Sequence, residues 1–464
     1  MSSAIQHLSV AMRDAVDEVL TGIKLSKTSN YYNIELQFHT TNNPELSPLL
    51  SKELKSVTIE QDYINNFTDK IIAELQLDQI TYKVLYYNRN DLFCTLKFTP
   101  IPRNSPKPEC KEPTYTLKYR AVLIDNPDIF KSIPAYGVEP EQRKRPIADY
   151  NNVTLRIRVE LIDDIVYTSR RNRIHGIFTN VKMEDMLRYA VKQFGFKKAV
   201  IVKPDNDEEY VNFVIPPDYG IADIMGFFQN SPGFGVYNNG FCSYVTDGTW
   251  YVYPRHGDAI CKRVVHIYAT GQDTVAGLEK YNWLRPTADG DTINSILLNN
   301  RPTERNWSPL GTENSPNAAN IQTVDAILDY SRELVKDGEF NRRPVIMNVA
   351  SVPSDVMSED NSINLVYRKS NSNLFTICSE LGALQQTVIN FTLESAEPFM
   401  FRPATQVQYH YDHVNGYKTI SGKCEYAKYV FAQAGNIALY PLFSGTVDAT
   451  IVCDNFQARE DGNI

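Results

Sequence analysis

The sequence predicts a mainly β fold with an α+β insert: two antiparallel β-barrel modules joined by a small α+β unit, with a helix at the N-terminus. Three observations predict it. Aromatic residues are 11% of the 464 residues, and 28 of them are Tyr, a residue suited to half-buried sheet surfaces. Short runs of alternating apolar and polar residues recur before residue 170 and again after residue 344. The 25 Pro and 22 Gly are spread along the chain and leave few long helical stretches. The expected organisation is a helix at 1–30, a first barrel module at 31–170, the α+β unit at 171–260, a strand and linker region at 261–322, and a helix with the second barrel module at 323–464.

Residues 3–20 carry the clearest helical period, with Ile5, Leu8, Met12, Val16 and Val19 at three- and four-residue steps. Gly22 follows that stripe. The stripe can pack within its own domain or dock on a neighbouring chain. Ile34, Leu36 and Phe38 alternate with Glu35, Gln37 and His39, as a half-buried strand does. Val57–Ile59, Lys70–Leu77, Thr81–Tyr87, Leu92–Thr99 and Tyr115–Ile124 read as further strands, a density that suits a closed antiparallel barrel. A polar connector containing Arg143, Lys144 and Arg145 leads to a strand at Val153–Val159.

In the α+β unit, Met183, Met186, Leu187, Ala190 and Phe194 mark a helix that Gly195 ends. Pro216-Pro217-Asp218 reads as the start of a second helix burying Ile221, Ile224, Met225 and Phe228. Short strands on tight turns follow: Phe234–Tyr237, Phe241–Val245 and Trp250–Tyr253, with Asp247-Gly248 supplying the positive φ that a hairpin needs. The aromatic residues Phe234, Tyr237, Phe241, Trp250, Tyr251 and Tyr253 can fill their own sheet or form an interface. Arg263–Tyr268 reads as a strand, 311–322 as a linker and 323–337 as a helix. Strands are then expected at Val345–Val349, Asn364–Tyr367, Thr387–Leu393, Val407–Tyr411, Tyr426–Phe431, Ile437–Tyr440 and Thr446–Cys453.

The balance of 47 Lys+Arg against 55 Asp+Glu, with no block of like charge, argues against a general nucleic-acid binder. Apolar runs fall short of the ~20 residues that span a bilayer, and the N-terminus lacks a basic signal-peptide region. A soluble chain made in the cytosol is therefore expected, with no membrane insertion. The seven Cys are scattered without a CxxC, so free thiols are expected and no zinc cluster.

Candidate chemistry is sparse. His410 and His413 have metal-pair spacing, but on a strand residues three apart point to opposite faces. Cys242 with His175 or His256 could form a nucleophile pair, and Asp163-Asp164 or Asp62 with Asp69 a carboxylate pair. Phosphate-loop, dinucleotide, GxSxG, HExxH and kinase motifs are absent. No catalytic, cofactor or metal residue is expected.

Order and spacing in the central region carry a resemblance. Ser56-Val-Thr-Ile-Glu-Gln-Asp-Tyr63 and Phe67-Thr-Asp-Lys70 precede Asn90-Asp-Leu92. Gly176-Ile-Phe-Thr-Asn180 leads into Met183–Tyr189, and Asn212-Phe-Val-Ile-Pro-Pro217 into Ile221–Phe228. Phe234-Gly-Val-Tyr-Asn-Asn-Gly240 and Trp250-Tyr-Val-Tyr-Pro254 follow. This resembles the tail-hub proteins of contractile-tailed bacteriophages and related injection machines, over roughly residues 55–270. The resemblance implies a structural virion protein of the tail baseplate, trimeric, without cofactor. Two barrel modules per chain would form a pseudo-sixfold ring between a hexameric tail tube and a trimeric central spike, with baseplate wedge proteins as further partners. Interface residues are then expected at Ile5, Leu8, Met12, Val16, Val19, Phe234, Tyr237 and Trp250. A receptor- or glycan-binding tail protein is the alternative.

Overall fold

The computed structural model describes residues 9–25, 28–41, 48–102, 115–124, 154–231, 234–237, 240–255, 260–270, 283–284, 292–297, 386–413, 416–437 and 440–454. Helix α1 (Val10–Leu25) is followed by β1 (Thr28–Thr40), β2 (Leu54–Asp62) and β3 (Lys70–Asp78). Helix α2 (Gln79–Tyr87), β4 (Leu92–Pro102), β5 (Tyr115–Leu123) and β6 (Thr154–Asp163) come next. The first helix was expected at 3–20; residues 1–8, with Ile5 and Leu8, lie outside the described residues.

Helix α2 replaces the strand expected at Thr81–Tyr87. Asp78 accepts hydrogen bonds from the Ile80 and Thr81 backbone N–H groups, both at 2.8 Å, an N-cap that fixes the first turn. Tyr82 and Leu85, three apart, then bury on one helical face. The cap and that spacing override the β propensity of Thr, Tyr and Val.

The insert contains α3 (Asp164–Ser169), β7 (Ile174–Lys182), α4 (Met183–Gln193), β8 (Lys198–Ile201) and β9 (Glu209–Tyr219). It ends with α5 (Ile224–Asn230), β10 (Phe241–Thr246) and β11 (Thr249–Pro254). Two expectations are corrected here. The prolines at 216 and 217 do not open a helix. They lie within β9, whose only described neighbour is β7, at a shift of register between Ile174 and Gly176, and such irregular edge positions tolerate Pro. Phe234–Tyr237 is not a strand either. The buried Gln229 side chain accepts from the Val236 and Tyr237 N–H groups at 3.0 and 3.1 Å and donates to the Tyr237 carbonyl at 2.8 Å. One amide thus meets the backbone demand that a neighbouring strand would otherwise meet. Asp247 and Gly248 do adopt the positive φ expected of them, 48° and 67°.

The remaining strands are β12 (Val264–Ala269), β13 (Trp283–Leu284), β14 (Thr292–Leu297), β15 (Gln386–Leu393), β16 (Gln406–His413), β17 (Gly416–Ile437) and β18 (Tyr440–Asp454). Eight strands close a barrel in the order β17-β2-β3-β6-β5-β4-β1-β18, with β18 returning to β17. Every neighbouring pair in this ring is antiparallel. Strands expected in a separate C-terminal module therefore supply two staves of the first barrel.

Those two strands are also shared with a second sheet, of order β13-β14-β12-β16-β17-β18-β15. It is mixed where antiparallel pairing was expected, because β12 runs parallel to both β14 and β16. β17 pairs with β16 over Gly416–Lys423 and with β2 over Tyr426–Ala432. A bulge between Cys424 and Tyr426 marks the change of neighbour. The expected helix at 323–337 and strands at Val345–Val349 and Asn364–Tyr367 lie outside the described residues.

Side chains from the barrel and the second sheet form one contiguous core, running from Ile34, Leu36 and Phe38 to Ile267, Val407 and Ile451. The insert has its own core around Phe213, Phe228 and Trp250.

Candidate functional site

Among the described residues, a network of buried polar side chains lies where the insert meets the barrel. Asp69 enters it from the loop before β3. Its Oδ1 accepts from Gln61 Nε2 at 2.8 Å and from the Tyr244 hydroxyl at 2.7 Å, and its Oδ2 accepts from the Thr246 hydroxyl at 2.6 Å. Tyr63 donates to Gln61 Oε1 at 3.1 Å, which completes the chain of partners. The Val245 N–H donates to the Phe67 carbonyl at 2.8 Å. Burial pushes the Asp69 carboxyl above the usual carboxylate range, and its three hydrogen bonds oppose that rise.

Two further contacts extend this seam. Asp163 accepts from the Gly248 N–H at 2.7 Å and from the Ile165 N–H at 3.0 Å. Arg255 forms a two-pronged ion pair with Glu425, at 2.9 and 3.2 Å. The carboxylates that had suggested acid–base chemistry are thus engaged in structure. Asp62 holds the turn at Ile64 and Asn65, and Asp164 pairs with Arg120.

Cys242 is buried, and burial pushes its thiol up to about 12, which disfavours the thiolate a nucleophile needs. His175 is exposed on β7, and His256 lies outside the described residues. His413 has a strand position and His410 a specific setting. His410 Nε2 and His266 Nδ1 share a hydrogen bond at 3.0 Å, and the Tyr417 and Thr419 hydroxyls lie 2.7 and 2.9 Å from His410 Nδ1. A neutral His410 that accepts at Nδ1 and donates from Nε2 satisfies these contacts together. The Tyr268 ring stacks on His410 at 4.6 Å. No group of three or more His, Cys, Asp or Glu able to hold a metal occurs among the described residues.

Burial, and secondarily His266, lowers the His410 imidazole to about 4. A His with a depressed folded-state value stabilises the fold fully above its ordinary 6.5, and that contribution is lost as pH falls toward 4. Thermal melts between pH 7.5 and 4 are expected to register a loss of about 2 kcal/mol, allowing for solvent screening. His410→Gln, which keeps a donor toward His266, is expected to flatten that window.

The expected interface residues mostly fill this chain's own cores. Met12, Val16 and Val19 are buried, and α1 packs on β13, β14 and β16. Tyr237 and Trp250 are buried in the insert, and Phe234 packs against its core. Within the chain, then, α1 and the aromatic segment already have apolar partners. Elsewhere, an open groove of about 420 Å³ crosses the sheet between Asn390, Phe391, Thr392, Tyr426, Asp448, Ala449 and Thr450.

Residues 170–203 hold nine basic and two acidic side chains, a net charge of +7 in a chain of −8. The charges are interleaved with apolar residues, so a windowed charge count finds them where a search for contiguous runs does not.

No family model matches the chain, and no curated protein does. Solved structures that it is similar to include a tail protein from Neisseria meningitidis, at 7% identity and a TM-score of 0.40, over 90% of this chain and 96% of that one. A 43 kDa prophage tail protein from Shewanella oneidensis is similar at 10% identity and a TM-score of 0.36, over 90% of this chain and 96% of the other. An Escherichia coli component of the type VI secretion system is similar at 8% identity and a TM-score of 0.36, over 86% and 73%. Likeness at this level is distant.

Proposed function

We propose that this chain is a structural protein of a phage-type tail, acting as a baseplate hub that joins the tail tube to the central spike as a symmetry adaptor. The observation that carries this reading is mechanical. β17 and β18 each belong to both the barrel and the second sheet, and the two share a common core, which favours their acting as one body. The seam of Asp69, Asp163 and Arg255–Glu425 ties the insert to that body. Such a frame transmits force between neighbours, and the order of segments from Ser56 to Pro254 supports its assignment to a hub. The role needs broad contact with copies and partners and no catalytic centre.

The experiment is incorporation. An epitope-tagged chain is expected at the baseplate end of intact particles by immunogold microscopy, and as an oligomer by native mass spectrometry, with a trimer as the expected state. Particles assembled normally without the chain would overturn the reading.

A second reading, glycan recognition, has the groove at Tyr426 in its favour, since an aromatic ring beside Asp448 and Asn390 suits a sugar. Thr392 already donates to Asp448 at 2.7 Å, and Thr450 to Asn390 at 2.8 Å, which leaves the groove less able to reward a ligand. Saturable glycan binding lost in Tyr426→Ala would favour it.

A further inference from the structure

The insert carries a two-stranded ribbon, β7 paired with β9, whose two ends have opposite charge. At one end Arg170, Arg171 and Arg173 occupy the turn before β7. Lys192 lies in the last turn of α4, and Lys197 and Lys198 follow at the start of β8. The two turns meet, since Asn172 Nδ2 donates to the Gln193 carbonyl at 3.4 Å. All six cations are exposed, and none has an ion-pair partner among the described residues. Asp223 stands near Arg173 across Gly220 and offsets this surplus only in part. A helix C-terminus favours one or two cations, not six.

The other end is acidic. Asp205, Asp207, Glu208 and Glu209 are exposed where β9 begins, with Lys182 opposite Glu209 in register. Between the ends the ribbon exposes three apolar side chains among the polar His175, Thr179 and Asn212. Ile177 and Val214 face each other across the strands, 70% and 48% exposed, and Val211 is 69% exposed. The cross-strand Ile–Val pair offers apolar area that a docked neighbour would cover.

We propose that this ribbon is where one copy of the chain docks on another. The basic end of one ribbon meets the acidic end of its neighbour, and the apolar middles are covered between them. The chain supplies its own complement: the segment 170–203 is at +7 and the remainder at −15. A nucleic acid or another polyanion fits the ribbon less well, because the acidic end repels it and the apolar middle stays wet. The proposal rests on the hub reading for its purpose, which requires copies to assemble, and on the ribbon alone for its location.

The test uses the full chain. Sedimentation velocity over a range of concentration and salt is expected to show self-association that weakens as salt rises. One variant reverses the basic end (Arg170→Glu, Arg171→Glu, Lys198→Glu). Another reverses the acidic end (Asp207→Lys, Glu208→Lys, Glu209→Lys). Each alone is expected to weaken self-association by about tenfold or more, and mixing the two to restore an assembly containing both. Ile177→Ser with Val214→Ser is expected to weaken association without changing its salt dependence. All the altered side chains are exposed, and circular dichroism melts check that each variant folds. A monomeric wild-type chain, or variants that associate like the wild type, would overturn the proposal. So would loss in the basic-end variant alone, accompanied by wild-type binding of a labelled DNA duplex, which would assign the patch to a polyanion. If tagged chain enters particles while the charge variants assemble normally, the ribbon proposal fails and the hub reading stands. Charge-complementary association by a chain that never enters particles supports the ribbon and removes the hub.

Discussion

Replacing Gly445 by Val is expected to destabilise the protein by about 3 kcal/mol, read as a lowered urea midpoint at unchanged slope. Gly445 lies on β18 directly across from Phe431 on β17, at the join of the barrel and the second sheet. A Cβ at this position would collide with the Phe431 ring, lying 2.7 Å from Cδ1 and 3.0 Å from Cζ. The ring has nowhere to retreat. It is fully buried, with Tyr32 at 5.9 Å edge-on and Phe98 at 5.2 Å. The backbone at 445 is not in the left-handed region, so the demand is for space and not for φ. Phe431→Leu in the same chain should therefore recover part of the loss. If the double variant is as unstable as the sum of the singles, steric conflict between these two residues is the wrong cause.

Asp69→Ala is expected to cost about 3 kcal/mol and to loosen the insert first. The substitution strands three donors, Gln61 Nε2 and the hydroxyls of Tyr244 and Thr246, around a buried position. Hydrogen exchange over β10 and β11 should quicken before exchange in β2 and β3. Asp69→Asn separates charge from contact. Burial raises the folded-state value of Asp69 above its ordinary 3.8. Its ionisation therefore opposes folding: the stability this shift contributes is fully present below 3.8 and declines as pH rises through the folded value. The Asn variant lacks that dependence, so the wild type should lose ground to it on moving from acid to neutral pH. Parallel stability curves for the two proteins would contradict this account.

Much of the architecture was legible in local pattern. Ile34, Leu36 and Phe38 alternate because one face of β1 is core, and all three are buried. Asp247-Gly248 announces its hairpin because few other pairs adopt two positive φ values. Pattern misled where a single side chain decided the outcome. Asp78 capped α2 within a stretch rich in strand formers, and Gln229 satisfied a backbone that alternation had assigned to a strand. Pattern was silent where the determining contact is remote. Nothing near Gly416–Ile437 signals that its second half pairs with β2. His266 and His410 meet only because β12 and β16 run parallel, with Tyr268 level with His410. The apolar stripe of α1 was read correctly as a stripe, but its period does not specify which surface will cover it.

The route of the chain around the barrel also constrains how the protein is made. Tyr31 in β1 takes Ser444 in β18 as its partner, and β2 takes β17. While the ribosome is still translating the middle of the message, the six early staves have two open edges and no means of closing. Both edges stay open until the last strands emerge, so early termination products are expected to aggregate edge to edge.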